Sequence, residues 1–122
     1  MAQRIALAVY IACFAIGTVT HTRDFLALGM RPYHGAPIVL EAFWSSLLVL
    51  DLATAGLLLI DQRRWGLALA VVIMVCDVAG NSYAFFMLGI DGFAIALPLQ
   101  AAFLGFVLGS IGFLWPTPEV TR

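Results

Sequence analysis

A chain of 122 residues with 63% hydrophobic and 11% charged side chains is not an ordinary soluble domain, in which about 25% of residues are charged. Its mean hydropathy of +1.04 points to the lipid bilayer, and its length allows four spans of roughly 20 apolar residues with no room for a soluble domain. A net charge of −1, six basic residues that are all arginine and no basic tail imply no nucleic-acid partner.

The first apolar run, from about Arg4 to Thr20, predicts a short span that begins almost at Met1. A cleavable signal peptide is the rival reading. The run has one Arg before it and no clear small-x-small cleavage site after it, so a retained helix is expected. His21-Thr22-Arg23-Asp24 is expected to close this helix. Phe25 to Pro37 then forms the longest connection, broken by Gly29, Pro32, Gly35 and Pro37. Phe25, Leu26, Leu28, Met30 and Tyr33 make it too apolar for a solvated linker. It is expected to lie in the membrane interface or to fold back over the helix ends.

The second span is predicted from about Ile38 to Ile60 and the third from about Trp65 to Leu88, joined by the hairpin Asp61-Gln62-Arg63-Arg64. Gly89-Ile90-Asp91-Gly92 reads as a tight turn in which either Gly can take a positive φ. The fourth span is predicted from about Phe93 to Trp115. Pro116 and Pro118 end it, and Glu119 to Arg122 form a polar tail. The fold class is therefore all-α, a single integral membrane domain built as a four-helix transmembrane bundle with short loops. Four spans place Arg4, Arg63, Arg64 and Arg122 on one side and Arg23 and Arg31 on the other. The positive-inside rule then puts both termini in the cytoplasm.

Four polar positions interrupt the two middle spans. Asp51 and Asp77 each fall within about 3 Å of the mid-plane, and Asn81, with Gln100 of the fourth span, lies roughly 6 Å toward the outer side. Glu41 is nearer that surface, and His21 and Asp24 mark the outer end of the first span. No Lys, Arg or His lies in either middle span to balance the acids. Ionisable groups inside a membrane are costly and mark function by default. At 100° per residue Trp44 and Asp51 are about 20° apart and Glu41 is within about 80° of Asp51. Asp77, Asn81 and Ala84 share a face. The pattern predicts one polar pocket in the outer half, open outward or sideways, above an almost wholly apolar inner half.

Two carboxylates without a base do not comfortably both stay charged in hydrocarbon, so a shared proton is expected. A cationic ligand, a metal ion or a proton in transit would serve equally, and Trp44 beside Asp51 would offer a cation a π face. Asp51 and Asp77 are the candidate acid-base pair. Asp24, Glu41, Trp44, Asn81, Gln100 and His21 are the candidate ligand-binding residues. Structural readings stand beside these. Asp51 and Asp77 would be protonated residues bonded within the bundle, Glu41 would be solvated, His21 and Asp24 interfacial, and Gln100 a helix contact.

No metal or other cofactor is expected. Carboxylate-bridged di-metal bundles carry Glu-x-x-His pairs, which are missing, and both His lie at or beyond a helix end. Cys13 and Cys76 read as small packing residues. Gly105 and Gly109, with Gly112 on the same face, form a small-xxx-small surface. It is expected to pack within the bundle, with a homodimer or membrane-complex partner as the alternative. Trp65 and Trp115 are expected as interfacial anchors at the inner boundary.

Val19-Thr20-His21-Thr22-Arg23-Asp24-Phe25 and Phe43-Trp44-Ser45-Ser46-Leu47-Leu48-Val49-Leu50-Asp51 resemble stretches of the EXPERA group, which includes emopamil-binding sterol isomerases and the sigma-two receptor. The resemblance implies a small helical membrane fold with an acidic pocket inside the bilayer, which binds sterols and cationic amphiphiles. It also implies that Asp24 and Asp51 hold the pocket carboxylates. The functional expectation is a lipidic or amphipathic ligand in that pocket, with double-bond isomerisation as the fitting acid-base chemistry. An accessory subunit of a larger membrane complex and a small proton-coupled exporter are the alternatives.

Overall fold

The computed structural model describes residues 1–118. The tail expected at Glu119 to Arg122, and with it the side of the bundle on which Arg122 lies, falls outside the described residues. Four α-helices make up the chain: α1 (Ala2–Leu28), α2 (Ile38–Leu59), α3 (Arg63–Phe86) and α4 (Phe93–Leu114). Each is long and apolar enough to cross a membrane. The protein is a multi-pass four-helix bundle.

The expected span boundaries hold for α2 to α4 within about two residues, the ordinary uncertainty of a helix end. They fail for α1, which runs on through the polar stretch His21–Asp24 to Leu28. Polarity does not stop a helix; backbone conformation does. Thr18 and Thr22 turn their hydroxyls back onto the carbonyls of Phe14 and Thr18, at 2.9 and 2.7 Å, so the helix itself satisfies them. The stop is Gly29, whose φ of 87° suits a residue without a side chain. At about 1.5 Å per residue α1 is roughly 40 Å long, more than the hydrocarbon core needs.

The α2–α3 hairpin closes by a Schellman motif. Asp61 N–H bonds to Leu58 O and Gln62 N–H to Leu57 O, the paired bonds that satisfy the last carbonyls of a helix. Asp61 takes the left-handed position with φ 61° where Gly is usual, and Arg63 Nε donates to its carboxylate at 2.8 Å. In the α3–α4 turn Gly89 alone uses a positive φ, 67°. Gly92 caps α4 at φ −57°.

Buried positions recur at three- and four-residue steps. On α2 they are Glu41, Trp44, Leu47, Asp51, Thr54, Ala55 and Leu58. On α3 they begin at Gly66 and Leu67, pass through Asp77 and Asn81, and end at Ala84. One stripe therefore carries both the apolar core and the polar site. α1 packs chiefly on α2, α2 on α3 and α3 on α4. The contacts of α1 with α4 gather at the terminal end, where the chain ends and the α2–α3 hairpin lie. There Tyr10 Oη lies 2.9 Å from Ser110 Oγ and donates to Val107 O at 3.0 Å. Gln3 Nε2 donates to Phe113 O at 2.8 Å. Tyr10 and Phe14 stack edge-on against Phe103. At the opposite end, the loop end, the two helices stand apart.

The glycine stripe of α4 corrects one expectation. Gly105, Gly109 and Gly112 are exposed, and a Cβ added at any of them would meet nothing within 4 Å. The stripe does not pack within the bundle, because α4 turns its Phe103, Val107 and Ser110 side inward instead. Cys76 is likewise exposed rather than packed, and Cys13 is half-buried. Trp65 and Trp115 are exposed at the terminal end.

Candidate functional site

The parting of α1 and α4 leaves a cavity of about 1560 Å³ in the loop half of the bundle. Ile16 on α1 and Leu99 on α4 line it while remaining 65% and 67% exposed. The cavity thus reaches the surface of the bundle at the seam between these two helices. Phe14, Ile73, Met74 and Phe103 form its apolar floor above the terminal-end core.

The connection Gly29–Pro37 folds back over the helix ends, as one of its two expected courses had it. Two anchors hold it. Arg31 clamps Glu41 with a two-pronged ion pair, Nε to Oε1 at 2.7 Å and Nη2 to Oε2 at 2.9 Å. Tyr33 packs edge-on against Trp44, with centroids 5.8 Å apart. Its hydroxyl donates to Asp24 Oδ2 at 2.6 Å and lies 2.8 Å from His21 Nδ1. Burial first, and then the bond to Asp24, push the Tyr33 hydroxyl well above its ordinary value of 10.0.

Around the cavity the predicted residues fall into two groups. Asp51 and His21 form the first. His21 Nε2 stands 3.8 Å from Asp51 Oδ2, an ion-pair distance too long for a hydrogen bond. Asp51 makes no hydrogen bond among the described residues, so its carboxyl group is the uncommitted acid of the site. It fits there because position 17 is glycine: a Cβ on Gly17 would run into the Asp51 carboxyl group. The α1 backbone passes close enough to Asp51 that only a residue without a side chain leaves room for it.

Asn81 is the hub of the second group. Its Oδ1 accepts from Trp44 Nε1 at 2.8 Å, and its Nδ2 donates to Asp77 Oδ1 at 3.0 Å and to Gln100 Oε1 at 2.7 Å. All its donors are committed, and a flipped amide would set Nδ2 against the indole N–H, so its orientation is determined. Three helices are tied at one point. Asp77 Oδ2 and the Gln100 amide N–H groups make no hydrogen bond among the described residues.

The structure therefore brings Asp51, Asp77, Asp24, His21, Trp44, Asn81 and Gln100 to one cavity. Asp51 and Asp77 share its wall without a hydrogen bond between them. Glu41 is the exception. It is buried, but Arg31 takes both of its oxygens, and it does not line the cavity. Its work is to hold the loop. Trp44 lies between Tyr33 and Phe93, so those rings share the aromatic surface expected to face a cation.

Two residues of the site escaped sequence reading, Tyr33 and Gly17. Tyr33 had a signal: a lone phenol in a loop otherwise broken by Gly and Pro has to find a partner when it is drawn inward. Gly17 had a weaker one, as a glycine one turn before His21 on the same helix. Among the described residues no three His, Cys, Asp or Glu side chains are grouped to hold a metal ion.

Compared with known proteins, the chain matches no family model, no curated protein and no solved structure.

Proposed function

We propose that this protein binds a small lipidic or amphipathic molecule in the cavity between α1 and α4. The observation that carries the reading is the placing of two buried carboxyl groups, Asp51 and Asp77, on the wall of a largely apolar cavity whose lining includes exposed apolar residues of the helix surfaces, Ile16 and Leu99. Lipid-soluble molecules reach such a lining without crossing water. The apolar floor takes the body of the ligand. Asp51, Asp77, Gln100 and the Trp44 ring meet its polar or cationic group. With both termini in the cytoplasm, the loop end and its cavity lie toward the outer face.

The same acids suit double-bond isomerisation, the chemistry implied by the EXPERA resemblance at Asp24 and Asp51. A protonated carboxylic acid adds its proton to one alkene carbon, and a carboxylate removes a proton from a carbon next to the resulting cation. Asp51 and Asp77 are the pair for these roles. The exporter alternative needs a polar path through the terminal half, where Leu7, Leu67, Val107 and Leu114 are buried together. An accessory-subunit role would use the open α4 surface at Gly105, Gly109 and Gly112.

The test is native mass spectrometry from mild detergent with identification of bound lipid. A stoichiometric sterol, isoprenoid or amine that disappears in both Asp51→Asn and Asp77→Asn supports the reading. A bare protein, or a ligand retained in both variants, rejects the site.

A further inference from the structure

Which proton state Asp51 adopts depends on what faces it, and the structure determines one part of that answer from the far side of His21. The Tyr33 hydroxyl has one hydrogen. Its oxygen is within bonding distance of both Asp24 Oδ2, at 2.6 Å, and His21 Nδ1, at 2.8 Å. An ionised carboxylate only accepts, so the hydroxyl hydrogen goes to Asp24. The hydroxyl oxygen then has lone pairs and no hydrogen left for the imidazole. For the second bond to form, His21 Nδ1 must carry the hydrogen and donate it. The other ring nitrogen, Nε2, is the one that stands 3.8 Å from Asp51 Oδ2. In the neutral ring it is the bare acceptor.

We propose that Tyr33 is a positioning residue: committed to Asp24, it holds His21 in the Nδ1-protonated form, so that Nε2 alone exchanges a proton with Asp51. The proposal rests on the reading of Asp51 as an acid of the cavity and adds the group that loads it. In the forward step the Asp51 carboxyl group first turns from its 3.8 Å ion-pair distance into hydrogen-bond reach of Nε2; its O–H bond then breaks and an N–H bond forms on Nε2, giving a carboxylate beside an imidazolium. In the reverse step Nε2 returns the proton and Asp51 is again a carboxylic acid, ready to protonate a ligand. No proton is left over, and Nδ1–H stays in place throughout. Asp24 supplies the negative charge behind the imidazolium, as an orienting carboxylate does for a catalytic histidine.

The surroundings leave His21 as the base for this exchange. The titratable groups on the cavity are Cys13 and Asp24 on its own helix, Tyr33 and His34 in the loop, Asp51 on α2 and Asp77 on α3, while α4 contributes the neutral Gln100. His34 is engaged with the loop backbone, its Nδ1 2.9 Å from Arg31 O, and no ion pair joins it to Asp51 among the described residues. Arg31 is engaged with Glu41. Asp77 is tied to Asn81 rather than to Asp51.

The experiment is a pH titration of the full chain in phospholipid nanodiscs with ¹⁵N-labelled histidine, read by NMR, with His34→Gln used to assign the two rings. The expected result is that Nε2 of His21 loses its proton as pH rises while Nδ1 keeps its own. In Tyr33→Phe the neutral ring should shift toward the Nε2-protonated form that free imidazole side chains favour. An Nε2-protonated neutral ring in the wild-type chain overturns the proposal, as does a tautomer unchanged in Tyr33→Phe. The wild-type titration decides the matter even if the variant does not fold. Because no ligand is present, the result is separate from the loss of bound lipid that tests the cavity itself.

Discussion

At the terminal end, Tyr10 reaches from α1 to Ser110 and Val107 on α4 and the four helices close on one another. At the loop end the same two helices part around a cavity, which is lined by the loop, by Asn81 and by charged groups. Both halves are drawn from equally apolar helices. The difference lies in what is offered at the seam. Tyr10 and Ser110 satisfy each other and the backbone, so nothing polar remains to be solvated. Asp51 and Asp77 keep unbonded oxygens, and the protein leaves space beside them instead of packing against them. One half packs closed, and the other holds a cavity whose polar groups are backed by Gly17, Tyr33 and Asn81.

That division can be broken from either side. The largest effect is expected in the closed half. Leu67 is fully buried, and Leu67→Ala should cost roughly 1–3 kcal/mol, since in lipid the packing loss remains while the water-transfer part does not. Unfolding in detergent would measure it, and the folded fraction should bind the cavity ligand as before. Lost binding at unchanged stability would mean that the halves are not separate.

The converse substitution is Gly17→Ala. Its Cβ meets the Asp51 carboxyl group and should displace it, reducing ligand retention about tenfold or more, the equivalent of about 1.4 kcal/mol. Stability should change by less than about 1 kcal/mol, because alanine is the better helix former. Unaltered binding would show that the position of Asp51 does not matter.

The smallest effect concerns the loop and appears only at high pH. Tyr33 has a raised folded-state value, caused first by burial and then by its bond to Asp24. Its contribution to stability is therefore complete below pH 10 and is lost as pH climbs through the raised value. Ultraviolet titration, with Tyr33→Phe to assign its step, should show the Tyr33 phenol ionising late as the loop loosens. Asp24→Asn should lower that midpoint without returning it to the ordinary value, since burial remains. A midpoint indifferent to Asp24 would remove the bond from the account.

Composition and apolar run length determined a great deal without any coordinates: an all-helical membrane chain, four spans, and a polar belt in one half that includes Asp51, Asp77, Asn81 and Gln100. These are statements about single segments, and a segment long enough to cross a bilayer has little choice but to be helical, because lipid offers no partner for its backbone. The end of α1 was misread for a local reason. His21 to Asp24 look like a helix stop, yet Thr22 satisfies itself on the helix and Gly29 is where the backbone turns.

Partnership was not legible. Glu41 and Asp51 lie on the same buried stripe of α2, yet one is closed off by Arg31 and the other faces the cavity. Nothing in either residue announces this, since it depends on where the loop returns. Gly17 became part of the site because α1 crosses close to Asp51, and Tyr33 because its loop folds inward. The stripe at Gly105, Gly109 and Gly112 faced outward because α4 turned its Phe103 side to the bundle. Helical periodicity determines which residues share a face; the rotation and separation of helices determine what that face meets, and only the packing of all four settled these.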